Sequence, residues 1–193
     1  MVDVLGHLGM AMLWAAPAWF VWERRVSAAF VGFALLTAML PDTDLVLRQV
    51  LPVTHHGVTH TVVFVVAVAL VVGPLLAIGL QRVLTRVWLR GSRRRFTRLT
   101  LVGFVVAGLL VGGLSHLFAD MLSAPDIAKP VQPFWPFFEK PWSVDVVWYN
   151  APWINSGLFA FAALLNLGLA YFDVGPDRRL AMYHTISSTK HRR

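Results

Sequence analysis

The sequence predicts an all-α, polytopic membrane protein with about five transmembrane helices, and three observations lead to this prediction. Of the 193 residues, 57% are hydrophobic and 14% are charged, whereas soluble domains carry about 25% charged residues. The mean hydropathy is +0.64. The apolar residues gather into five stretches, and the basic residues gather between them. A water-exposed globule of this composition would lack a polar surface.

Each apolar stretch is a predicted span, because crossing the hydrocarbon core takes roughly 20 helical residues. The second stretch is short: at about 1.5 Å per residue it reaches only about 22 Å into a core about 30 Å thick. Either the bilayer thins there or the helix ends inside the membrane. The five stretches are Val4–Trp22, Val26–Leu40, Val62–Leu80, Leu99–Leu122 and Trp153–Phe172.

The spans form one predicted transmembrane domain over residues 1–176, followed by a basic tail at 177–193. The first span is predicted to be a retained helix. Ala16-Pro17-Ala18 loosely resembles a signal-peptide cleavage site, but the residues before the apolar run include Asp3 and no Lys or Arg. A signal peptide begins with a positively charged region.

The basic residues predict how the chain is threaded. Lys and Arg accumulate in short loops on the cytoplasmic side. Here they follow the first stretch, fill the gap 82–98 and end the chain. These positions alternate along five spans, so the N-terminus is predicted outside and the C-terminus in the cytoplasm of a multi-pass cell-membrane protein. The basic run favours attraction to anionic lipid. Nucleic acid is not a predicted partner, because the run has little aromatic interleaving.

The same threading places two loops outside, at 41–61 and 123–152. The second loop is rich in aromatic residues and proline, and such side chains settle at the headgroup level. We therefore predict a lid or wall on the membrane surface, with a passive interfacial anchor as the alternative. Its aromatic residues include Trp135, Trp142, Trp148 and Tyr149, and Trp153 follows directly.

Histidine and aspartate residues gather at the predicted outer ends of four helices. His116 and Asp120 are four apart on the fourth helix, so they share one helix face. Ionisable groups inside a membrane are rare and usually functional. His7 alone would be read as a packed helix residue, but the agreement of four segments favours one shared site. The residues are His7, Asp42, Asp44, His55, His56, His60, His116 and Asp120.

A metal site is the chemistry that these side chains predict. Imidazole and carboxylate ligands suit zinc, with manganese or iron as alternatives. Cysteine is absent, which excludes thiolate ligands and Cys nucleophiles. All of the gathered residues except His56 are predicted ligands. They exceed the needs of one tetrahedral ion, so one or two ions are predicted. Gly57 is predicted to permit the turn that aims His55 and His60 inward.

The motifs resemble those of the membrane-bound metal-dependent hydrolases of the LexA-regulated, YdjM-like family. This family is distantly similar to zinc-dependent phospholipase C enzymes, so the resemblance implies a lipid-facing metallohydrolase acting on a phosphorylated lipid. The family pattern reads His-Arg-Gly where this chain has His55-His56-Gly57, so a phosphate-binding role there requires a protonated His56. The resemblance is carried by His7, Pro41-Asp42-x-Asp44, His55-x-Gly57-x-Thr59-His60-Thr61, His116-x-x-x-Asp120 and Pro133-Phe134-Trp135-Pro136.

We therefore expect hydrolysis of a lipid phosphoester at the outer leaflet by metal-activated water, whose pKa a metal lowers to about 7. Asp44 or Asp120 would act as the base, with His56 as a further catalytic residue. Lys129 and Trp135 of the outer loop are expected to contact the substrate, although an interfacial lysine is the simpler reading of Lys129.

Other functions stay open at this stage. The chain could be a metal-binding transporter or sensor, or the metal site could be purely structural. The inner halves of the spans lack acids and histidines, which favours an outward-facing site over an ion pathway. Gly108-x-x-x-Gly112 lets another helix approach closely. That helix could be internal or could belong to a second copy in a homodimer.

Overall fold

A computed structural model describes the chain at residues 3–88, 90, 96–123, 129–142, 144, 146, 148 and 151–175. Tyr149, part of the basic run and the predicted tail at 177–193 lie outside the described residues. The helices are α1 (Val4–Ala15), α2 (Ala18–Val21), α3 (Arg24–Thr37), α4 (Asp44–Leu47), α5 (Val62–Gly79), α6 (Gln81–Val83), α7 (Arg98–Met121) and α8 (Pro152–Phe172). Short 3-10 helices lie at Pro41–Thr43 and Val58–His60, and a π-helical turn lies at Leu84–Trp88.

Five segments are long and apolar enough to cross a membrane, which confirms the predicted fold class and the number of spans. Their boundaries agree closely with the apolar stretches, except that the second segment is longer. The segments are Val4–Val21, Arg24–Leu47, Val62–Gly79, Arg98–Met121 and Pro152–Phe172.

The second span combines a regular helix with an irregular continuation. Its α-helical part, α3, ends at Thr37, and the chain then turns through Pro41–Thr43 into α4. Pro41 has no backbone N–H and cannot extend a regular α-helix. Asp42 and Asp44 lie in this continuation and are buried at 7% and 1% exposure. The regular helix is therefore shorter than the apolar stretch, whereas the helical segment as a whole is longer.

Helix α7 is the centre of the bundle and packs against α1, α3 and α5. Its glycines permit these contacts, because a side chain at Gly108 or Gly112 would collide with Phe33 or Thr37 of α3. The Thr37 hydroxyl also donates to the Gly108 carbonyl at 3.0 Å. The helix that the glycine motif admits is thus internal, and the motif gives no support to a homodimer.

Helix α8 packs against α1, and a buried asparagine ties it to the first span. The Trp19 indole N–H donates to Asn166 Oδ1 at 2.7 Å. The Asn166 amide donates to the carbonyls of Met12 and Ala162 at 3.2 and 2.8 Å. Because an indole N–H can only donate, the amide oxygen must face Trp19. This network joins α1, α2 and α8 with every polar group of Asn166 engaged.

The bundle has two chemically different ends. One, the His/Asp end, is where α1, α5 and α8 begin and where α7 ends. The other, the Arg end, carries the arginines Arg24, Arg25, Arg82, Arg86, Arg90 and Arg98. An apolar core lies between the ends and includes Phe30, Phe33, Phe104 and Leu109.

Candidate metal centre

All eight histidine and aspartate residues singled out in the sequence meet in one cluster at the His/Asp end. Three of the histidines, His7, His60 and His116, have no exposed surface, and Asp120 is 3% exposed. Groups of three residues have ligand atoms within 4.8 Å of one another, among them His60, His116 and Asp120. These buried groups could hold a metal ion.

The middle of the cluster contains four ligand atoms at similar distances. His60 Nε2 lies 3.3 Å from Asp42 Oδ1 and 3.7 Å from Asp120 Oδ2. His116 Nε2 lies 3.5 Å from Asp42 Oδ1 and 3.2 Å from Asp120 Oδ2. Around a tetrahedral zinc, bonds of about 2.0–2.2 Å put neighbouring ligand atoms roughly 3.3–3.5 Å apart. The four measured separations, 3.2–3.7 Å, lie close to the lengths of four of the six edges of such a site.

His7 lies beside these four atoms and faces a different oxygen. Its ring stacks on that of His116, with centroids 3.7 Å apart and planes 6° from parallel. Its Nε2 lies 3.5 Å from Asp120 Oδ1, whereas His116 Nε2 contacts Oδ2 of the same carboxylate. An imidazole lone pair lies in the plane of the ring, so two parallel stacked rings do not converge on one point. The geometry offers His7 a position of its own.

Asp44 is engaged by protein groups through both of its oxygens. Oδ1 lies 3.0 Å from His55 Nδ1, and Oδ2 lies 3.1 Å from His60 Nδ1. The Thr59 hydroxyl also donates to Oδ2 at 2.9 Å. A carboxylate that accepts from Nδ1 leaves Nε2 of the same ring as the ligand atom, which is the usual support for a metal-binding histidine. Asp44 therefore aims His60 Nε2 at the centre of the cluster.

Gly57 permits the tight turn, because a side chain there would lie 2.7 Å from the Thr54 carbonyl oxygen. Its own φ is −86°, and the left-handed residue of the turn is His56, with φ of 59°. The glycine is therefore needed for a close approach of the backbone, whereas the positive φ lies on its neighbour.

His56 is oriented by the outer loop. Its Nδ1 lies 2.7 Å from the Lys129 carbonyl oxygen. Because a carbonyl only accepts, Nδ1 must carry the hydrogen, and Nε2 is left facing Asp120 Oδ2 at 3.9 Å. Burial lowers the pKa of His56 to about 4. Burial also opposes a charge on His60, but its contacts with Asp42 and Asp44 outweigh burial and raise the pKa of His60 above its usual value.

The outer loop closes over this part of the cluster. The Val62 N–H donates to the Pro133 carbonyl at 2.8 Å, and the Val144 N–H donates to the Met121 carbonyl at 2.8 Å. These bonds hold the loop against the start of α5 and the end of α7, so the loop forms a wall. A cavity of about 140 Å³ remains between the wall and the turn before α5, lined by His56, Gly57, Val58, Thr61, Gln132 and Trp135.

The two residues expected to contact substrate lie differently in this wall. Trp135 lines the cavity together with His56. The Lys129 residue is exposed, and it is its backbone carbonyl, rather than its ammonium group, that contacts His56. The structure thus places Trp135 beside the cluster and gives Lys129 a backbone role that a side-chain motif could not predict.

Several buried polar atoms of the cluster lack hydrogen bonds among the residues that the structure describes. They are both ring nitrogens of His7 and His116, Nε2 of His56 and of His60, and Oδ1 of Asp42. Leaving a buried polar group unsatisfied costs about 1–3 kcal/mol. A divalent cation would satisfy the atoms that face the centre, and imidazole nitrogens with carboxylate oxygens are a suitable donor set. The residues present therefore fit a metal.

A protein-family match agrees with the membrane architecture of the chain. A model of the YdjM inner membrane protein family matches residues 1–186. The chain belongs to this family. The YdjM-like resemblance and the multi-pass membrane location are thereby confirmed, while the family's description names no reaction. No curated protein and no solved structure gives a significant match to this YdjM-family chain.

Sequence reasoning missed two features of this YdjM-family protein. Thr59, which donates to Asp44, was noted only as part of a motif, although its position beside His60 was a signal. Asn166 is buried in the last span, where no functional motif is evident. A polar amide in the middle of an apolar helix was the signal there, since such a group needs partners.

Proposed function

We propose that this protein is a membrane-embedded metal-dependent hydrolase that cleaves a phosphoester in a lipid headgroup at the non-cytoplasmic leaflet. The observation that carries the proposal is the set of four buried ligand atoms at 3.2–3.7 Å. They come from Asp42, His60, His116 and Asp120, which lie on three separate parts of the chain. Packing alone gives no reason to bury two carboxylates and two imidazoles face to face.

These four residues would hold the first ion. Zinc is the preferred metal, because it takes four nitrogen and oxygen ligands without demanding an octahedral shell, and manganese is the alternative. A catalytic zinc keeps a position for water, so a water would have to enter beside these four ligands. The ion would then supply that acidified water as nucleophile and would neutralise charge on the phosphoryl oxygen. The chain's own contribution is to fix the ligands and to exclude bulk water, since these side chains are almost fully buried.

A second ion would be held by His7. The parallel stack with His116 and the two differently directed oxygens of Asp120 support this assignment. Asp120 would help to hold both ions, because its Oδ1 faces His7 and its Oδ2 faces His60 and His116. Paired metals are common in phosphoester hydrolysis because they act on the attacking and the leaving oxygen together.

The remaining residues would position and transfer protons. We assign Asp44 as a positioning residue, because both of its oxygens already accept from His55, His60 or Thr59. His56 is then the proton acceptor: its Nδ1–H is tied to the Lys129 carbonyl, and its Nε2 faces Asp120 Oδ2 at 3.9 Å. Trp135, on the opposite wall, would contact the headgroup of the substrate.

Transport is the competing function, and the apolar core argues against it. An ion pathway needs polar groups through the whole depth of the membrane. Below the cluster, α7 instead buries Gly108, Leu109, Val105 and Phe104, and Phe30 and Phe33 of α3 pack in the same core. A measurement of substrate turnover distinguishes an enzyme from a sensor or a purely structural metal site.

The test measures metal content and lipid hydrolysis on the same purified protein. Elemental analysis gives the metal, and release of phosphate or headgroup from a panel of membrane phospholipids gives the activity. We expect Asp42→Ala and His116→Ala to insert in the membrane but to lose both. Asp3→Ala is the matched control, because Asp3 caps α1 at the same end of the bundle without joining the cluster.

Each outcome decides between functions. Bound metal without turnover on any lipid would make the site structural or sensory and would end the enzyme proposal. Turnover unchanged in Asp42→Ala would remove the metal mechanism. For the second ion, His7→Ala is expected to lower the zinc stoichiometry from two to one, and a wild-type stoichiometry of one would contradict it.

The membrane side needs its own experiment, because the positive-inside rule alone supports it. The chain has no cysteine, so single cysteines can be introduced and labelled with a membrane-impermeant maleimide. We expect Val50→Cys, 80% exposed at the His/Asp end, to react in intact spheroplasts. Thr97→Cys, exposed at the Arg end, should react only after the membrane is opened. The reverse pattern would move the site to the cytoplasmic leaflet while leaving the metal assignment intact.

A further inference from the structure

The Arg end carries a cavity that the proposed function does not use. It has a volume of about 400 Å³ and opens between α3 and the turn that follows α6. On α3 its lining residues recur at intervals of three and four, so they form a single helix face. The lining is Arg25, Ala28, Ala29, Gly32, Val87 and Arg90.

The cavity is charged at its mouth and apolar along its length. Arg25 and Gly32 are seven residues apart, or about 10 Å along the helix axis at about 1.5 Å per residue. Arg25 Nη1 donates to the Arg90 carbonyl at 2.8 Å, which holds the guanidinium beside the cavity. That bond uses one of the five N–H groups of a guanidinium.

The position of the cavity matches the order of groups in a phospholipid. The second span begins at Arg24, so Arg25 lies at the membrane boundary, where lipid phosphates lie. Ala28 and Gly32 lie deeper in the span, at the level of acyl chains. Arginine pairs with phosphate through two parallel hydrogen bonds, and basic pockets between membrane helices bind anionic headgroups.

We propose that this cavity binds an anionic phospholipid of the leaflet at the Arg end. Arg25 and Arg90 hold its phosphate, and one acyl chain lies along the α3 face from Ala28 to Gly32. This site is at the opposite end of the bundle from the candidate metal centre, so it is a lipid-binding site separate from the proposed substrate site. Its role does not depend on whether the protein is a hydrolase.

The test is native mass spectrometry of the full chain in neutral detergent with equal amounts of phosphatidylglycerol and phosphatidylcholine. We expect the protein to retain phosphatidylglycerol preferentially. Arg25→Gln should lower its occupancy about fivefold, the effect of one basic residue near an anionic lipid. Arg25→Lys should retain part of the binding, and Ala28→Phe should reduce it by filling the groove. Arg98→Gln, an exposed arginine at the same end but outside the lining, should have no effect.

Several results would overturn this proposal. Equal losses of bound phosphatidylglycerol in Arg25→Gln and Arg98→Gln would mean that general surface charge, and not this cavity, attracts the lipid. Both lipids carry a phosphate, so equal retention of the two would contradict selection for an anionic lipid. Displacement by inorganic phosphate would mean that the site binds a soluble anion. A dimer that Ala28→Phe converts to a monomer, with lipid binding unchanged, would assign the groove to a second copy. Unchanged metal content in the Arg25 variants excludes misfolding as the cause.

Discussion

Two of the buried polar groups that the structure describes, the Asn166 network and the His/Asp cluster, differ in how completely their hydrogen bonds are made. In the Asn166 network every polar group has a partner: the amide accepts from Trp19 and donates to Met12 and Ala162. In the His/Asp cluster, both ring nitrogens of His7 and His116, Nε2 of His60 and Oδ1 of Asp42 are buried without hydrogen bonds among the described residues. A satisfied network stabilises a fold by itself. An unsatisfied network indicates that a bound group supplies the missing interactions.

This difference also distinguishes a polar network with a structural role from a polar cluster with a functional role in the same fold. Both groups join distant parts of the chain, and both lie within an apolar bundle. The Asn166 network is neutral, so it costs little to desolvate once it is paired. The cluster holds Asp42, Asp44 and Asp120 together, and burying carboxylates near one another is costly unless a cation compensates. Metal should therefore stabilise the cluster and leave the Asn166 network unaffected.

Removing the metal is the change with the largest expected effect. A ligand present at about 1,000 times its dissociation constant stabilises the folded state by about 4 kcal/mol. We expect stripped protein to unfold at a clearly lower temperature and zinc to restore the wild-type value. The measurement is thermal unfolding in detergent, with the metal content of each sample determined in parallel.

A matched variant makes this test specific. His116→Ala removes a ligand atom of the four-atom centre, so its unfolding temperature should no longer respond to zinc. If the wild type and His116→Ala shift equally, zinc acts elsewhere. If metal-stripped and zinc-loaded wild type unfold at the same temperature, the cluster is not a metal site. The cluster and the Asn166 network would then not differ in their response to metal.

Removing the asparagine should have a smaller effect that is independent of metal. Asn166→Leu leaves the Trp19 indole N–H, in a side chain 5% exposed, without its acceptor. We expect a loss of roughly 1–2 kcal/mol, the upper range for hydrogen bonds between membrane helices plus part of the cost of an unpaired donor. Leu167→Ala, at a neighbouring position 66% exposed, serves as the control. A larger loss in the stripped protein than in the zinc-loaded protein would show that the two groups are coupled.

The five spans and the cluster residues could be predicted because their signals are local. Apolar runs of the right length predict spans. The alternation of basic loops predicts that His7, His60 and His116 lie at one end of the bundle. Contacts between side chains are not local. That Asp44 points both oxygens at histidines and Thr59, whereas Asp120 divides its oxygens between His7 and His116, depends on tertiary packing that spacing does not encode.

The detailed backbone conformation of the turn and the structural polar contacts could not be predicted. Gly57 permits the turn through its close approach to Thr54, but nothing in the sequence indicates that the positive φ falls on His56. Asn166 was overlooked because one amide in an apolar helix carries no spacing pattern, and its partners are 147 and 154 residues away in sequence. Such contacts appear only when α8 is placed against α1.

The smallest expected effect comes from the Thr59 hydroxyl, which supports the cluster from outside the centre. Thr59→Val keeps the shape of the side chain but removes the hydrogen bond to Asp44 Oδ2, 2.9 Å long. One hydrogen bond to a carboxylate contributes about 1 kcal/mol or somewhat more, so zinc affinity should fall roughly three- to tenfold. Competition with a fluorescent zinc chelator measures this change.

Asp44→Asn, which also weakens the contact with His60, should lower zinc affinity further, within the roughly 10- to 100-fold that outer partners of metal ligands typically contribute. Equal affinities in wild type and both variants would mean that His60 needs no support from Asp44. Such a result would also exclude Asp44 as a metal ligand, because replacing a ligating carboxylate by an amide would weaken zinc binding.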